Sequence, residues 1–357
     1  MNKLINILKE QKTLPLDQFI DVALYDKKSG YYMKKNPFGI KRKEGDYITA
    51  PLVSNLFGEM IAIWCVSFWE YLKKPNKITI VELGPGDGTL CEDLVKTFKN
   101  FNDFYKCVEI KLIEKSNKLR KIQKTKIKDR KVKWINKINE LNCGPIIFIC
   151  NEFFDSLPIK QIYKKKNLFL ERHVTLSKNN KKIEFSYKKA KKDLIKNIKK
   201  LNLISEGNII EYPATAIGYL KDITKKISKY NGGLLIFDYG YTKQKNYDTL
   251  QSIKNYKYTN ILSDPGNADI TSHINYELFS KIITKNNLEV EKIINQNEFL
   301  QKLGIIERAN LLSKEKTFKE KADIFHRLKK LLHYKEMGSL FKVMFAKKKE
   351  IKFSLGF

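Results

Sequence analysis

The sequence predicts an α/β fold in which a mostly parallel sheet alternates with helices and carries an N-terminal helical cap and an antiparallel β insertion. Short β-branched apolar runs alternate with helical patterns, beginning with a strand over 78–83 and a helix over 90–98. The strand predicted over 145–150 (PIIFIC) is apolar on both faces, as the interior of a parallel sheet requires. The same rhythm predicts strands over 108–113, 132–135, 232–241, 288–294 and 340–346, and helices over 117–126 and 276–285.

The pattern changes between residues 157 and 187, where apolar and polar residues alternate between Asn-rich turns. This period of two is typical of antiparallel strands with one solvated face. The predicted organisation is therefore as follows: a helical cap or lid over 1–75, a first half of the core over 76–156, an antiparallel insertion over 157–200, and a second half of the core with elaborations of the substrate cleft over 201–357.

Composition gives bounds on the class of protein. The 357 residues, 42% of them hydrophobic, are enough to bury a large core. The formal net charge is +30, but only six of the 69 basic residues are Arg, and the lysines are spread along the chain. Dispersed lysine is typical of solvated surface, so nucleic acid is not the expected partner. No stretch approaches the roughly 18 apolar residues of a membrane span.

The cysteines and the N-terminus predict the compartment. Residues 1–10 are too charged for a signal peptide, and no Arg-rich leader is visible. The cysteines form no CxxC pair and lie mostly among apolar neighbours, which indicates reduced, buried thiols. We therefore expect a cytoplasmic protein without a metal site. The five cysteines are Cys65, Cys91, Cys107, Cys143 and Cys150.

A glycine-rich turn follows the first predicted core strand in VELGPGDGTL (81–90). Gly84, Gly86 and Gly88 are expected to permit a tight turn, a close approach of ligand to backbone, and close packing of the next helix. A dinucleotide fingerprint would place its third glycine at Thr89, so the spacing does not fit NAD. Glu82 would repel a pyrophosphate and suits a cationic ligand.

Glu114 ends the second core strand, thirty residues after Gly84. A carboxylate at this point can accept hydrogen bonds from both ribose hydroxyls of an adenosyl group. Taken alone, it fits a surface acid at a helix start better. Together with the glycine turn it favours a nucleoside site, and Trp134 or Asn136 could then face the adenine.

Several sequence blocks now identify a family. The most distinctive are CNEFFDSLPIKQ (150–161) and PGNADITSHI (265–274). The sequence resembles the class I S-adenosylmethionine methyltransferases whose mitochondrial members are protein arginine methyltransferases acting in respiratory complex I assembly. The remaining blocks are ALYDKKSGYY (23–32), GDYITAPLVSNLFGEMIAIW (45–64), VELGPGDGTL (81–90), GGLLIFDYGY (232–241), LGIIERANLL (303–312) and MGSLFKV (337–343).

The resemblance implies a Rossmann-like class I methyltransferase sheet, S-adenosyl-L-methionine as cofactor, and an arginine side chain of a protein as methyl acceptor. A subunit of respiratory complex I is the implied partner. The loop that contains Thr49, before a helix expected to start near Pro51, could close over the cofactor or could simply begin a packing helix. The predicted cofactor-binding residues are Thr49, Glu82, Gly84, Pro85, Gly86, Gly88 and Glu114.

Arginine methylation requires carboxylates, because the guanidinium stays protonated and is a poor nucleophile until it is oriented and loses a proton. Asn151, Glu152 and Asp155 follow the fourth core strand, at the edge where open α/β sheets bind ligands. We expect Glu152 to grip the guanidinium and Asn151 to position it, with Phe153 and Phe154 excluding water. Asp155 could instead cap the turn before the next proline.

The segment ADITSHI supplies a second polar set. If it is extended, Asp269 and His273 project from the same side as Thr271 and could line the substrate side. His273 could then relay the released proton, although a lone histidine is commonly a structural hydrogen-bonding group. Asp238 and Tyr239 end the fifth strand and are further candidates at this edge.

One position departs from the family pattern, which usually has Arg where this chain has Asp87. This departure is the support for one alternative, an assembly factor that binds the cofactor or the partner without turnover. The basic composition supports another, an RNA methyltransferase, which predicts lysines around the cleft. A protein arginine methyltransferase predicts an acidic cleft instead.

Overall fold

The computed structural model describes residues 2–39, 45–179 and 182–357. The predicted cap and insertion therefore include positions, namely 1, 40–44 and 180–181, that lie outside the described residues. The helices are α1 Asn2–Gln11, α2 Leu16–Tyr25, α3 Tyr31–Lys34, α4 Ala50–Val53, α5 Asn55–Tyr71, α6 Thr89–Phe98, α7 Asn102–Cys107, α8 Asn117–Lys126, α9 Lys192–Lys200, α10 Ala214–Tyr230, α11 Tyr276–Lys285, α12 Gln296–Lys302, α13 Ile305–Ser313, α14 Phe318–Leu332 and α15 Met337–Leu340. The strands are β1 Thr13–Pro15, β2 Ile78–Leu83, β3 Val108–Ile113, β4 Val132–Ile135, β5 Ile146–Asn151, β6 Lys160–Lys165, β7 Leu168–Leu176, β8 Ile183–Lys189, β9 Ile209–Tyr212, β10 Gly232–Tyr241, β11 Gln251–Lys254, β12 Lys257–Thr259, β13 Asp269–Thr271, β14 Ile274–Asn275, β15 Leu288–Val290, β16 Ile294–Asn295 and β17 Phe341–Lys348.

The central sheet runs in the order β15, β17, β10, β5, β2, β3, β4, with β14 beside β10 and β16 beside β17. Strands β4, β3, β2, β5 and β10 are mutually parallel, and β17 is antiparallel to β10. The predicted α/β fold is thus confirmed. Because the parallel strands end at one edge, the residues that follow β2, β3, β5 and β10 are brought together there.

The sheet is covered on both faces, which explains why its strands are apolar throughout. Side chains of β5 alternate between two core clusters: Ile147 and Ile149 face the cluster under α5 and α6, while Phe148 and Cys150 face the cluster under α10 and α11. All four residues are completely buried. Such double burial is the reason that a strand in a parallel sheet shows no polar alternation.

The antiparallel insertion has β6, β7 and β8 paired in sequence order, as predicted, but it contains more than the insertion itself. Strand β1 from the cap pairs with β7, and β9, which lies beyond residue 200, pairs with β6. A separate three-stranded sheet of β12, β11 and β13 was not predicted. These strands are only three or four residues long, so they leave little periodicity in the sequence.

Two other element predictions need correction. The helix expected from about Pro51 is two helices, because Ser54 is extended and its side chain accepts a hydrogen bond from the Leu56 N–H at 3.3 Å, capping α5. The strand expected over 288–294 is two short strands, β15 and β16, both paired with β17.

The sequence predictions about thiols and membrane spans can be compared with the structure. All five cysteines are free thiols, of which Cys65, Cys91 and Cys150 are buried. Across 2–39, 45–179 and 182–357, none of the helices has the length and apolar character that crossing a bilayer would need.

We predict that Trp64→Ala destabilises the fold by about 3–5 kcal/mol, because a large buried aromatic side chain would leave a cavity. Trp64 is completely buried, its ring centroid lies 4.9 Å from that of Phe345, and its indole N–H donates to the Leu355 carbonyl at 3.0 Å. Urea unfolding would measure the loss. Phe318→Ala, at a ring that is 89% exposed, is the control and should change the free energy of unfolding by less than about 0.5 kcal/mol. Equal losses in the two variants would contradict the assigned core.

Candidate functional site

A cavity of about 740 Å³ opens at the edge where the parallel strands end. Its wall comes from the turns after β2, β3 and β5, from β10, β11 and β13, and from the cap. The structure brings together there all five predicted catalytic residues, Asn151, Glu152, Asp155, Asp269 and His273, and six of the predicted cofactor residues, Thr49, Glu82, Gly84, Pro85, Gly86 and Glu114.

The glycine turn after β2 forms part of the cavity wall. Gly84 and Gly86 have φ angles of +67° and +57°, a conformation that L side chains rarely adopt. A Cβ atom on Gly84 would lie 2.8 Å from the Phe153 ring, so there is no room for one. Gly88 was predicted to bind the cofactor, but it does not line the cavity. A Cβ there would lie 3.0 Å from Ile127 Cδ1, so this glycine serves local packing.

Glu82 presents a buried carboxylate at the start of the glycine turn. The residue is only 3% exposed, and its Oε2 has no hydrogen-bond partner among the described residues. Burial, together with the neighbouring Asp87 and Glu114 carboxylates, raises the pKa of Glu82 to about 8. A buried acceptor without a partner is costly unless a ligand donates to it.

Glu114 is held by the segment that follows β3. Its Oε1 accepts from the Ser116 N–H at 2.7 Å, and its Oε2 accepts from Gln123 Nε2 at 3.3 Å. Burial nevertheless raises its pKa to about 7. The same Gln123 Nε2 donates to the Gly86 carbonyl at 2.7 Å, so one amide ties the glycine turn to Glu114. The sequence analysis missed Gln123, because no motif or spacing distinguishes a single glutamine within a lysine-rich helix.

The two candidates for an adenine contact separate in the structure. Trp134 does not line the cavity. Its indole N–H donates to Gln123 Oε1 at 2.8 Å. Asn136 does line the cavity, and its Oδ1 accepts from Arg120 Nη2 at 2.9 Å. Trp134 therefore supports Gln123 instead of facing a ligand.

Asp87, the departure from the family pattern, has partners of its own. Its carboxylate accepts from the Thr89 N–H at 3.0 Å and from the Thr89 hydroxyl, and it pairs with Lys126 on α8. The side chain therefore caps the start of α6 and is neutralised from a neighbouring helix. The glycine turn keeps its conformation around this substitution.

The turn after β5 is built around Asp238, at the end of β10. The Asp238 Oδ2 accepts from the N–H groups of Phe154 and Asp155 at 3.1 and 3.2 Å. Glu152 has a φ of +49°, and its N–H donates to the Phe237 carbonyl at 2.9 Å. A non-glycine residue held in this region is typical of functional sites. Asp238 itself lies beneath the cavity wall, so it orients the turn and does not face a ligand.

The side chains of this turn supply hydrogen-bond acceptors to the cavity. Asn151 Nδ2 donates to Glu152 Oε1 at 3.3 Å. In the described structure, Asn151 Oδ1 and Asp155 Oδ1 have no hydrogen-bond partner. Burial, with help from Asp155, raises the pKa of Glu152 to about 8. Burial likewise raises the pKa of Asp155 to about 6.

The cap contributes tyrosines that the sequence analysis missed. The Tyr32 hydroxyl donates to Asp269 Oδ1 at 2.7 Å, and the Tyr25 hydroxyl donates to the Ser156 carbonyl at 3.0 Å. Tyr47 lines the cavity and lies 3.4 Å from Tyr32, hydroxyl to hydroxyl. Burial raises the pKa of Asp269 to about 7 despite the Tyr32 bond. The tyrosine-rich block over 23–32 was visible in the sequence, but its contact with residue 269 was not.

The remaining candidates divide between cavity and core. His273 lines the cavity, its ring packs against that of Tyr239 with centroids 5.4 Å apart, and burial lowers its pKa. Phe153 lines the cavity as predicted, whereas Phe154 is only 2% exposed and packs against Phe279 in the core. Only half of the predicted aromatic wall is therefore present.

The cavity is acidic although the chain is strongly basic. Among the residues that the structure describes, two basic side chains line it, Lys115 and Arg120. In the described ranges, no group of three or more His, Cys, Asp or Glu side chains is arranged to hold a metal ion. The acidic residues of the wall are seven: Asp21, Glu82, Asp87, Glu114, Glu152, Asp155 and Asp269.

Comparisons with known proteins agree with this geometry. The family model described as "Putative S-adenosyl-L-methionine-dependent methyltransferase" matches residues 60–294. The chain is 27% identical to "Protein arginine methyltransferase NDUFAF7, mitochondrial" of Xenopus tropicalis, over 96% of this chain and 84% of the relative. It is 29% identical to the homologue of Caenorhabditis elegans, over 79% and 71%.

A solved structure shares the fold. The crystal structure of a superfamily member from Burkholderia thailandensis, bound to S-adenosyl-homocysteine, superposes with a TM-score of 0.84 at 20% sequence identity. The match covers 98% of this chain and 92% of that one. The predicted Rossmann-like methyltransferase sheet is therefore confirmed at nearly full length.

The predicted cytoplasmic location is wrong, because the curated relatives are named as mitochondrial proteins. Free cysteines indicate a reducing environment but do not say which reducing compartment a protein occupies.

The family model covers well over half of the chain, and its glycine turn and carboxylates lie in the cavity at the edge of the sheet. The chain belongs to the family of S-adenosyl-L-methionine-dependent methyltransferases.

Proposed function

We propose that this methyltransferase transfers its methyl group to a side-chain nitrogen of arginine in a protein, with a subunit of respiratory complex I as the partner that the family resemblance implies. One observation carries the proposal: among the described residues the cavity wall has seven acidic side chains against two basic ones, and buried oxygens of Glu82, Asn151 and Asp155 have no hydrogen-bond partner. A guanidinium is a planar cation with five N–H donors and no acceptor, so it complements such a wall. The names of the relatives support the same acceptor.

The residues after β2 and β3 fit the cofactor. Glu114 is buried with both oxygens directed by Ser116 and Gln123, as a carboxylate that binds ribose hydroxyls would be. The partnerless Oε2 of Glu82 would accept from the ammonium of a methionyl group. When bound, S-adenosylmethionine supplies a methyl group activated by the positive charge of its sulfur. In our proposal Gly84 and Gly86 leave the space that this ligand needs.

We assign binding and proton transfer to the residues after β5 and on β13. Glu152 and Asp155 would hold the guanidinium by charge-assisted hydrogen bonds, which localise its positive charge on the nitrogens they contact. Asn151 Oδ1, which has no partner in the described structure, would accept from a further N–H. The nitrogen that gains the methyl group must release one proton, and a carboxylate with a raised pKa, such as Glu152, would accept it.

Asp269 and His273 complete this assignment on the opposite wall. Tyr32 fixes Asp269, so its second oxygen can face the substrate. Burial keeps His273 neutral at physiological pH, which suits a group that passes the proton on to solvent. Phe153 and the cap tyrosines would limit access of water, which strengthens electrostatic contacts in the cavity.

The RNA alternative does not fit this cavity. Among the described residues of the wall, two basic side chains against seven acidic ones would repel a phosphate backbone. The assembly-factor alternative rested on Asp87, which Lys126 neutralises and which leaves the glycine turn intact.

We predict that Glu114→Ala weakens binding of S-adenosyl-homocysteine about 10- to 100-fold, because hydrogen bonds to a charged group contribute about 1.5–3 kcal/mol. Isothermal titration calorimetry would measure the change. The control is Glu109→Ala on the same strand, whose carboxylate pairs with Lys133 outside the cavity and whose loss should leave affinity unchanged. Equal affinities for Glu114→Ala and wild type would exclude the assigned role.

The acceptor is tested by transfer of labelled methyl groups to protein and to total RNA, offered separately. We expect label in a discrete protein band that yields methylarginine on hydrolysis, and a loss of at least about 100-fold with Glu152→Gln. Glu315→Gln, at an exposed position, should retain full activity. Label in RNA would instead establish the RNA alternative. Methylated lysine or a methylated carboxylate in the protein would overturn the choice of arginine.

The raised pKa values predict a pH dependence of kcat/KM. Protonated Asp155, Asp269 and Glu152 cannot bind a cation, and their pKa values are raised to about 6, 7 and 8. Activity should therefore rise as pH increases from about 6 to about 8, since arginine itself does not titrate there. The kcat profile should rise at lower pH than the kcat/KM profile, because bound guanidinium favours the ionised carboxylates. A kcat/KM that stays flat or falls over this range would contradict the assignment.

A further inference from the structure

A second cavity of about 300 Å³ adjoins the site, and we call it the side groove. It is bounded by Phe185 on β8 and by residues 250–252 and 258–261. Gln251 and Tyr258 line both cavities. Strand β11 forms the shared wall, since Ile253 lines the site cavity and Ser252 lines the side groove. The groove is thus continuous with the proposed substrate site across the rim at Gln251 and Tyr258.

The side groove has the features of a surface that binds an extended chain. Strand β8 pairs with β7 along one edge, and no described strand pairs with its other edge. Phe185 and Tyr187 on β8 are 37% and 44% exposed, and Tyr258 is 76% exposed. The Arg172 guanidinium packs over the Phe185 ring at 4.7 Å and the Tyr187 ring at 5.8 Å, which fixes both rings. Open edges and fixed aromatic rings are common features of peptide-binding sites.

The charge around the side groove is opposite to that of the site cavity. Lys188 and Lys189 end β8, with Lys189 on the face that carries Phe185 and Lys188 on the opposite face, and Lys257 begins β12; all three are exposed. None of them forms an ion pair with a described carboxylate, in contrast to Lys254, which pairs with Asp264. The lysines are therefore available to an external anionic group, a few residues away from a cavity that prefers a cation.

We propose that the side groove binds an extended segment of the acceptor protein that carries acidic and apolar residues next to the methylated arginine. This inference rests on the proposed function and specifies its substrate class. The acidic side chains would pair with Lys189 and Lys257, and an apolar side chain would pack on Phe185 and Tyr258. The backbone of the segment would add to the open edge of β8, and the arginine would cross the rim into the site cavity.

A protein segment suits this surface better than RNA. Aromatic rings and lysines also occur in sites for single-stranded nucleic acid. However, the open edge of β8 offers backbone N–H and C=O groups in strand register, which only a peptide can match. The acidic wall of the adjoining cavity would repel phosphates at the rim.

The test uses fluorescein-labelled 15-residue peptides and the full chain saturated with S-adenosyl-homocysteine, with binding followed by anisotropy. One peptide has a central arginine flanked by Asp, Glu, Leu and Val. A second replaces the acids by Lys, a third replaces the arginine by norleucine, and a 15-nucleotide RNA is the fourth probe. The protein variants are K188E/K189E and F185A. Their matched controls are K199E/K200E, which makes the same charge change on exposed α9, and F318A.

We expect the acidic-flank peptide to bind at least about five-fold more tightly than the basic-flank peptide, and K188E/K189E to reverse this preference. F185A should weaken binding of the acidic peptide, and neither control should change it. Norleucine in place of arginine should weaken binding separately. If flank charge matters and norleucine does not, the groove is supported and the arginine proposal fails.

Two results would overturn the groove proposal. One is an affinity for the acidic peptide that is the same in K188E/K189E, F185A and wild type, whatever the effect of norleucine. The other is RNA binding that is tighter than that of any peptide and is lost in K188E/K189E.

Discussion

The burial of carboxylates at one edge of the parallel sheet is the constraint on which the site depends. Desolvating an ionised acid costs several kcal/mol unless partners compensate, and otherwise the group stays protonated. The protein compensates only in part, because Glu82 Oε2 and Asp155 Oδ1 have no partner in the described structure. A cavity wall with such unpaired acceptors gains free energy when a donor-rich cation enters it. We therefore regard the unpaired acceptors as preorganised binding groups, whose cost a ligand offsets.

The same constraint explains why distant segments converge on this edge. Asp238 holds the turn after β5 through two N–H groups, so the end of β10 fixes the geometry of Glu152 and Asp155. From the other side, Tyr32 in the cap fixes Asp269. Pairing of β1 with β7 anchors the cap to the antiparallel insertion. Cap, insertion and core are thus each needed to enclose one cavity, and the site would not be complete on the parallel core alone.

How much of this could be predicted depends on the range of the interactions. The strands of the parallel core were predictable because a strand buried on both faces has a continuous run of apolar residues, as in β5. Glu152 and Asp269 were predictable as cavity residues because chain direction alone brings strand ends to one edge. Gln123 and Tyr32 were not, since their roles arise from contacts across 37 and 237 positions with Gly86 and Asp269. Contacts between residues so far apart in the sequence cannot be predicted from local sequence patterns.

Asp87 shows how a local departure can be compensated without changing the fold. Where the family usually has Arg, this chain has an acid that pairs with Lys126 on α8, so the pair is neutral. The Asp87 charge contributes to the raised pKa of Glu82. Glu82 would then be protonated without ligand at neutral pH and would ionise when an ammonium group binds. Burial is the larger cause and acts with or without the substitution, so Asp87 only adds to the raised pKa of Glu82, while hydrogen bonds from Thr89 to Asp87 keep the start of α6 in place.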